Sequence, residues 1–201
     1  MGKNLFIAEK PSVAREFANA LKYNMRSKDG YLESEEAIVT WCVGHLVELA
    51  SPESYDEKYE KWRYDDLPIL PSQWNYQIVA ATRKQFSILK KLMEREDVTG
   101  LVEATDAGRE GELIFRLVYN QAKCKKPFER LWISSMEDQA ISDGFSNLRN
   151  GKVCVAIHRA HQEHVPNCMR PLINKKLKLM SELTEHTLAN EIEAPHEILR
   201  K

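Results

Sequence analysis

Apolar positions along the chain follow two rhythms. Residues 5–8 (Leu-Phe-Ile-Ala) form a short unbroken apolar run, the pattern of a strand buried on both faces. The run stops at Glu9-Lys10. Pro11-Ser12 then opens a helical stretch with Val13, Phe17, Ala20 and Leu21 on one face. Proline suits a first helical turn, where its missing N–H has no intrahelical partner. Residues 37–43 are a second apolar, β-branched run, closed by Gly44-His45. Residues 82–96 return to a helical period through Phe86, Leu89, Leu92 and Met93. Residues 100–105 predict a strand ending at Asp106, and residues 109–121 a helix with Leu113, Ile114, Leu117 and Val118 inside. Residues 131–133 predict a short strand, and residues 136–148 a helix with Ala140, Ile141, Phe145 and Leu148 inward. Strands alternating with helices imply the α/β class: a parallel, Rossmann-like sheet between helices, with right-handed crossovers.

Two stretches break the alternation. Residues 51–77 are rich in Tyr, Trp, Asp and Pro and keep no period, so they read as a long insertion over the surface. After about Gly151 the character changes again. Residues 152–201 hold five of the six histidines, and residues 174–188 fit one amphipathic helix. The chain therefore divides into an α/β domain at 1–150 and a mostly helical or irregular extension at 151–201.

Composition narrows the function classes. The 201 residues are 43% hydrophobic and 29% charged, with a net charge of -1. That fits an ordinary globular protein and excludes one that coats nucleic acid by bulk positive charge, though not one with a local basic groove. The four cysteines (Cys42, Cys124, Cys154, Cys168) form no CxxC pair. With no signal-like or membrane-spanning apolar run, a reduced cytoplasmic setting is expected. Met1-Gly2 hints at myristoylation, but Phe6 stands where Ser or Thr is required.

Two acidic sites end predicted strands: Glu9 the first, Asp106 a later one. Asp106 is followed by Ala-Gly-Arg-Glu-Gly-Glu. Ligands of open parallel sheets bind beyond the carboxyl ends of the strands. If the two strands are neighbours, Glu9, Asp106 and Glu110 converge there. Clustered carboxylates repel unless a cation joins them, and hard oxygen donors suit Mg²⁺ with phosphate oxygens and waters. Lys10 and Arg109 add positive charge at the same edge, which makes a phosphate-transfer site plausible chemistry. The competing reading is that each acid merely complements a helix macrodipole.

The segments IAEKPSVAR, TWCVGHLVEL, DLPILPSQW, EATDAGREGELIFR and RLWISSM, in this order across residues 4–150, resemble type IA DNA topoisomerases of the topoisomerase III kind. The part covered is similar to their TOPRIM domain, a metal-binding α/β module shared with primases and some nucleases. The resemblance implies a Mg²⁺ cofactor and single-stranded DNA as partner. It implies that Glu9 does acid/base and metal work beside the cleaved phosphate, with Lys10 near that phosphate. Asp106 matches the first aspartate of an Asp-x-Asp-x-x-Gly-Glu pattern and Glu110 its companion carboxylate. Trp62 and Arg63 fall in a block that lies near the DNA strand.

Departures matter as much. Gly108 stands in place of the second aspartate, which points to one metal ion rather than two. The tyrosine that such enzymes use as nucleophile belongs to another domain. None of Tyr23, Tyr31, Tyr55, Tyr59, Tyr64, Tyr76 and Tyr119 lies in a comparable stretch. The chain is therefore expected to carry the metal and acid/base half of the mechanism and to relax no DNA alone, pairing with a separate gate-domain chain being one alternative. Alternatives are a free-standing TOPRIM nuclease that uses water, and a non-catalytic DNA-binding remnant.

Other candidates are weaker. Cys154, His158, His161, His164 and Cys168 are zinc-ligand types, but Pro166 interrupts them and their spacing matches no standard finger. His45 reads as a hydrogen-bonded structural histidine, and Trp41, Trp74 and Trp132 as packing residues. The basic face Arg83, Lys84, Lys90, Lys91, Arg95 reads as a solvated helix surface, with phosphate contact the alternative.

Overall fold

The computed structural model describes residues 2–61, 63–66, 69 and 71–151. Strand β1 (Lys3–Ala8) lies at the centre of a seven-stranded sheet. On one side it pairs in parallel with β4 (Ala37–Trp41), and on the other with β7 (Val98–Ala104). Strand β8 (Phe128–Arg130) adds in parallel to β7. The edges are antiparallel. β2 (Arg26–Lys28) and β3 (Tyr31–Glu33) make a hairpin beside β4, and β9 (Arg149–Asn150) closes the other side. The sheet is thus mixed rather than wholly parallel. β2 is exposed throughout and carries Arg26 and Lys28, charges that discourage another chain from pairing with the free edge. A small second sheet joins β5 (Val47–Leu49) to β6 (Tyr76–Ile78) and brackets the insertion, which holds short 3₁₀ turns.

The two-residue period of the strands explains the layers. Leu5, Ile7, Ile38 and Leu101 point to one face, where α2 (Arg83–Glu94) and α3 (Arg109–Gln121) supply Phe86, Leu89, Ile114 and Phe115. Phe6, Ala8, Val39, Val102 and Ala104 point to the other, where α1 (Pro11–Ala20) and α4 (Asp138–Ser146) bring Phe17 and Ile141. Phe145 meets Phe6 and Phe17 edge-on at 5.3 and 5.7 Å between ring centres. A fully buried large side chain such as Phe17 contributes about 1.5–3 kcal/mol.

The strand expected at residues 131–133 lies three residues earlier, at Phe128–Arg130. The cause is electrostatic. Arg130 is opposite Glu103 in the register, and both are wholly buried, so their pairing fixes where β8 joins the sheet. Leu131 remains buried, while the chain leaves the sheet at Trp132. The β2–β3 hairpin and the β5–β6 pair escaped the sequence reading, because strands of three residues are too short to show a period.

At the edge where β1 begins, Lys3, Glu33, Arg95 and Asp97 form one ionic network. Arg95 meets Glu33 at 2.6 Å and Asp97 at 2.7 Å, and Lys3 meets Glu33 at 2.8 Å. The Arg95 guanidinium holds both carboxyls below their usual range. A carboxyl with a depressed folded pKa stabilises the fold above its unfolded pKa. That stability is lost as pH falls through the folded value. Arg95→Ala is therefore expected to cost about 1 kcal/mol at pH 7 and much less at pH 3, read as urea midpoints at both pH values. An equal loss at both would contradict the assignment.

The basic face of α2 is mostly neutralised by its neighbours. Lys84 pairs with Asp29 at 2.8 Å, Lys90 with Glu94 at 3.9 Å, and Arg95 joins the network just described. These pairings favour a solvated surface over a phosphate track.

Candidate active site at the carboxyl ends of the central strands

β1 and β7 are hydrogen-bonded neighbours, and Ala8 lies opposite Ala104. Adjacent strands are about 4.8 Å apart, so Glu9 and the Thr105-Asp106 pair leave the sheet side by side. β4 ends at the same edge, since Trp41 is the partner of Ala8. The condition set by the sequence, neighbouring strands, is met.

Each site residue has a distinct environment. The Glu9 side chain is 12% exposed and lies 3.5 Å from the Lys10 ammonium, which is 61% exposed. Asp106, Arg109 and Glu110 are exposed. Glu110 stands in the first turn of α3, where His45 Nε2 lies 2.5 Å from its Oε1. Gly44, directly before His45, takes φ +79, a left-handed conformation that favours glycine. His45 is hydrogen-bonded, as its sequence context suggests, but its partner is a site carboxylate. Arg63 is exposed in the insertion. Trp62, the Cys154–Cys168 cluster and residues 174–188 lie outside the described residues.

Among the described residues no group of three or more His, Cys, Asp or Glu side chains is arranged as a ready metal cage. Glu110 leans to His45 and Glu9 to Lys10. The donor set still suits Mg²⁺, which keeps several waters and needs only one or two carboxylates plus phosphate oxygens. Asp106 and Glu110 are open to solvent, and Glu9 is close behind.

Beneath the Asp106 turn lies a charged cluster that the sequence reading missed. Glu103, Glu112 and Arg130 are buried almost completely. Arg130 contacts Glu103 at 3.2 Å and Glu112 at 3.6 Å, and Glu112 takes a 2.7 Å bond from Arg116. The same guanidinium donates to the carbonyls of Thr105, at 2.9 Å, and Asp106. Thr105 Oγ1 in turn donates to the Gly111 carbonyl at 2.9 Å. Burial pushes the Glu103 carboxyl up, Arg130 opposes that, and the neighbouring Glu112 reinforces it. Glu103 Oε2, Glu112 Oε2 and Arg130 Nε have no hydrogen bond among the described residues, so charge pairing alone serves them. The available signal was a glutamate within the apolar run of β7, since a buried acid requires a partner.

Gly111 has a steric reason. A Cβ there would meet the Asp106 carbonyl oxygen at 2.2 Å and its nitrogen at 2.8 Å. The first turn of α3 therefore lies directly on the Asp106 backbone. Gly108 differs: its backbone is extended (φ -159, ψ 178), and a Cβ there meets nothing within 4 Å. Gly108→Asp is thus expected to fold normally and to tighten Mg²⁺ binding about tenfold by adding one carboxylate. Titration calorimetry reads this directly, and unchanged affinity would place the ion elsewhere.

Cys42, Tyr119 and Tyr55 are each occupied elsewhere or held in the core. Burial and the nearby Glu9 charge push the Cys42 thiol up to about 12. Tyr119 donates to the Lys126 carbonyl, and Tyr55 is bonded to Asn75 in the insertion.

Residues 4–136 match the family model of the Toprim domain. DNA topoisomerase 3 of Bacillus cereus is 53% identical over 152 residues, which make up 76% of this chain and 21% of that protein. DNA topoisomerase 3 of Bacillus subtilis is 49% identical over the same length. The chain thus spans about a fifth of the length of the curated relatives it matches. Full-length topoisomerase I of Thermotoga maritima shares the fold with a TM-score of 0.53 at 17% identity, over 81% of this chain and 23% of that one. With its central parallel strands, its acidic strand ends and these matches, the chain belongs to the Toprim domain family, in the form found in DNA topoisomerase 3.

Proposed function

We propose that the carboxyl edge of β1 and β7 binds Mg²⁺ and a phosphodiester of single-stranded DNA, as the metal and acid/base half of a type IA topoisomerase reaction. One observation supports this above the rest. Adjacent parallel strands deliver Glu9 and Asp106 to one edge, where α1 and α3 both begin. Helix N-termini favour anions, so a phosphate is attracted where the carboxylates alone would repel it.

Asp106 and Glu110 would hold the metal, with Glu9 completing the set through water. A bound Mg²⁺ supplies positive charge to the phosphate oxygens. Lys10 and Arg109 add theirs from the protein. Glu9, at the same edge beside Lys10, is the carboxyl placed to exchange a proton with the leaving oxygen. His45 keeps Glu110 oriented at the rim. The covalent half needs a tyrosine from another domain or chain, so this chain alone leaves supercoiled DNA unrelaxed. Its expected setting is the cytoplasm, and no helix among the described residues is long and apolar enough to cross a membrane.

The test is a gel assay on negatively supercoiled plasmid with Mg²⁺, comparing the chain with Asp106→Asn. Unchanged plasmid, with Mg²⁺-dependent retention of single-stranded DNA weakened at least tenfold by Asp106→Asn, is the expected result. Nicked circles made only by the unmodified chain would establish a nuclease that uses water. Relaxed topoisomers would mean that a nucleophile is present after all.

A further inference from the structure

On the α1 side of Asp106, the loop after β8 encloses a cleft of about 310 Å³. Its lining is mostly apolar, with Val13 and Phe17 of α1 and Trp132, Ile133 and Met136 of the loop. Ser134 and Ser135 of the same loop add hydroxyls to the lining, and Ser135 Oγ accepts from the Glu137 N–H at 3.3 Å. Asp106 and Ala107 line it as well, so cleft and candidate phosphate site share one turn of the backbone. Met136 lines the cleft and is 43% exposed.

A larger cavity, of about 470 Å³, opens at the opposite edge of the sheet by Lys3. It mixes charges of both signs, and its Lys3 is already paired with Glu33, so it selects no ligand class.

We infer that the cleft beside Asp106 is a slot for a single unstacked nucleobase, from the nucleotide whose phosphate the strand edge holds. The inference rests on the phosphate site proposed above. A nucleobase has apolar faces and a polar edge, which match a mostly apolar lining that includes Trp132 and two serine hydroxyls. Proteins that hold single bases sandwich the ring between apolar or aromatic side chains and hydrogen-bond its edge. The volume is at the low end of small-ligand sites, roughly 300–1,000 Å³, and is sufficient for a base. The shared Asp106-Ala107 turn sets the register: a phosphate bound at the carboxylates has its own nucleoside at the mouth of the slot. The slot therefore fixes which phosphodiester faces Glu9. That is a positioning role in addition to charge.

The experiment uses the full chain with Mg²⁺ and fluorescent single-stranded oligonucleotides, each with one abasic site moved along the sequence. One abasic position is expected to weaken binding about tenfold, with the others within about twofold. 2-Aminopurine at that position should change its emission on binding. Met136→Glu places a charge at the mouth without touching the core. It should erase the abasic penalty while binding of a fully abasic strand stays unchanged. Penalties that are equal at all positions, or that persist in Met136→Glu, overturn the slot and leave the phosphate site standing. Absence of any Mg²⁺-dependent oligonucleotide binding overturns both.

Discussion

Arg130→Ala is expected to destabilise the domain by about 3–5 kcal/mol, the cost of removing one partner from a buried ion cluster. That is a large share of the roughly 5–15 kcal/mol that holds a domain folded. Arg130 is wholly buried and serves four groups at once: the carboxyls of Glu103 and Glu112 and the carbonyls of Thr105 and Asp106. Glu112 keeps Arg116, but Glu103 loses its cation. Urea unfolding followed by circular dichroism gives the number, and a loss below about 1 kcal/mol would show that the cluster is solvated or rearranges freely.

A double replacement separates stability from site geometry. Glu103→Leu with Arg130→Met removes the ion pair together, which in other buried clusters recovers much of the lost stability. The Thr105 and Asp106 carbonyls still lose their donor. The double variant is therefore expected to regain stability but to bind Mg²⁺ more weakly than the unmodified chain. Full recovery of metal affinity would mean that Arg130 supports the fold alone.

Gly111→Ala is the second large effect. The added methyl would occupy the space of the Asp106 carbonyl, 2.2 Å away, and backbone cannot rotate aside as a side chain can. Either the first turn of α3 or the Asp106 turn must move. Overpacking of this kind costs about 1–3 kcal/mol, and here the displaced atoms belong to the candidate metal ligand. Mg²⁺ affinity is expected to fall at least tenfold while far-UV circular dichroism still reports a folded domain. Normal metal binding by Gly111→Ala would show that the Asp106 turn has freedom the packing denies it.

The periodic elements were legible from sequence because their apolar faces are long. α3 occupies the span its pattern predicts, Arg109–Gln121, and α1 begins at Pro11. The juxtaposition of Glu9 and Asp106 was legible only as a condition, that their two strands be neighbours, and the pairing of β1 with β7 meets it. What stayed hidden depended on pairing across the fold. Arg130 reads as a loop residue until Glu103 is seen opposite it, and that pair shifts β8 away from the more apolar Leu131-Trp132-Ile133. The His45–Glu110 contact spans 65 residues. The β2–β3 hairpin has strands of three residues, too short for a period to show.

The central claim is that Mg²⁺ binds at the carboxyl edge of β1 and β7, and ¹⁵N-resolved amide shifts during a Mg²⁺ titration test it most directly. Saturable shifts confined to Glu9, Lys10 and the turn from Thr105 to Glu112, and abolished by Asp106→Asn, are the predicted result. Shifts centred on the acidic insertion around Asp56 and Asp65, or none that saturate, would contradict it.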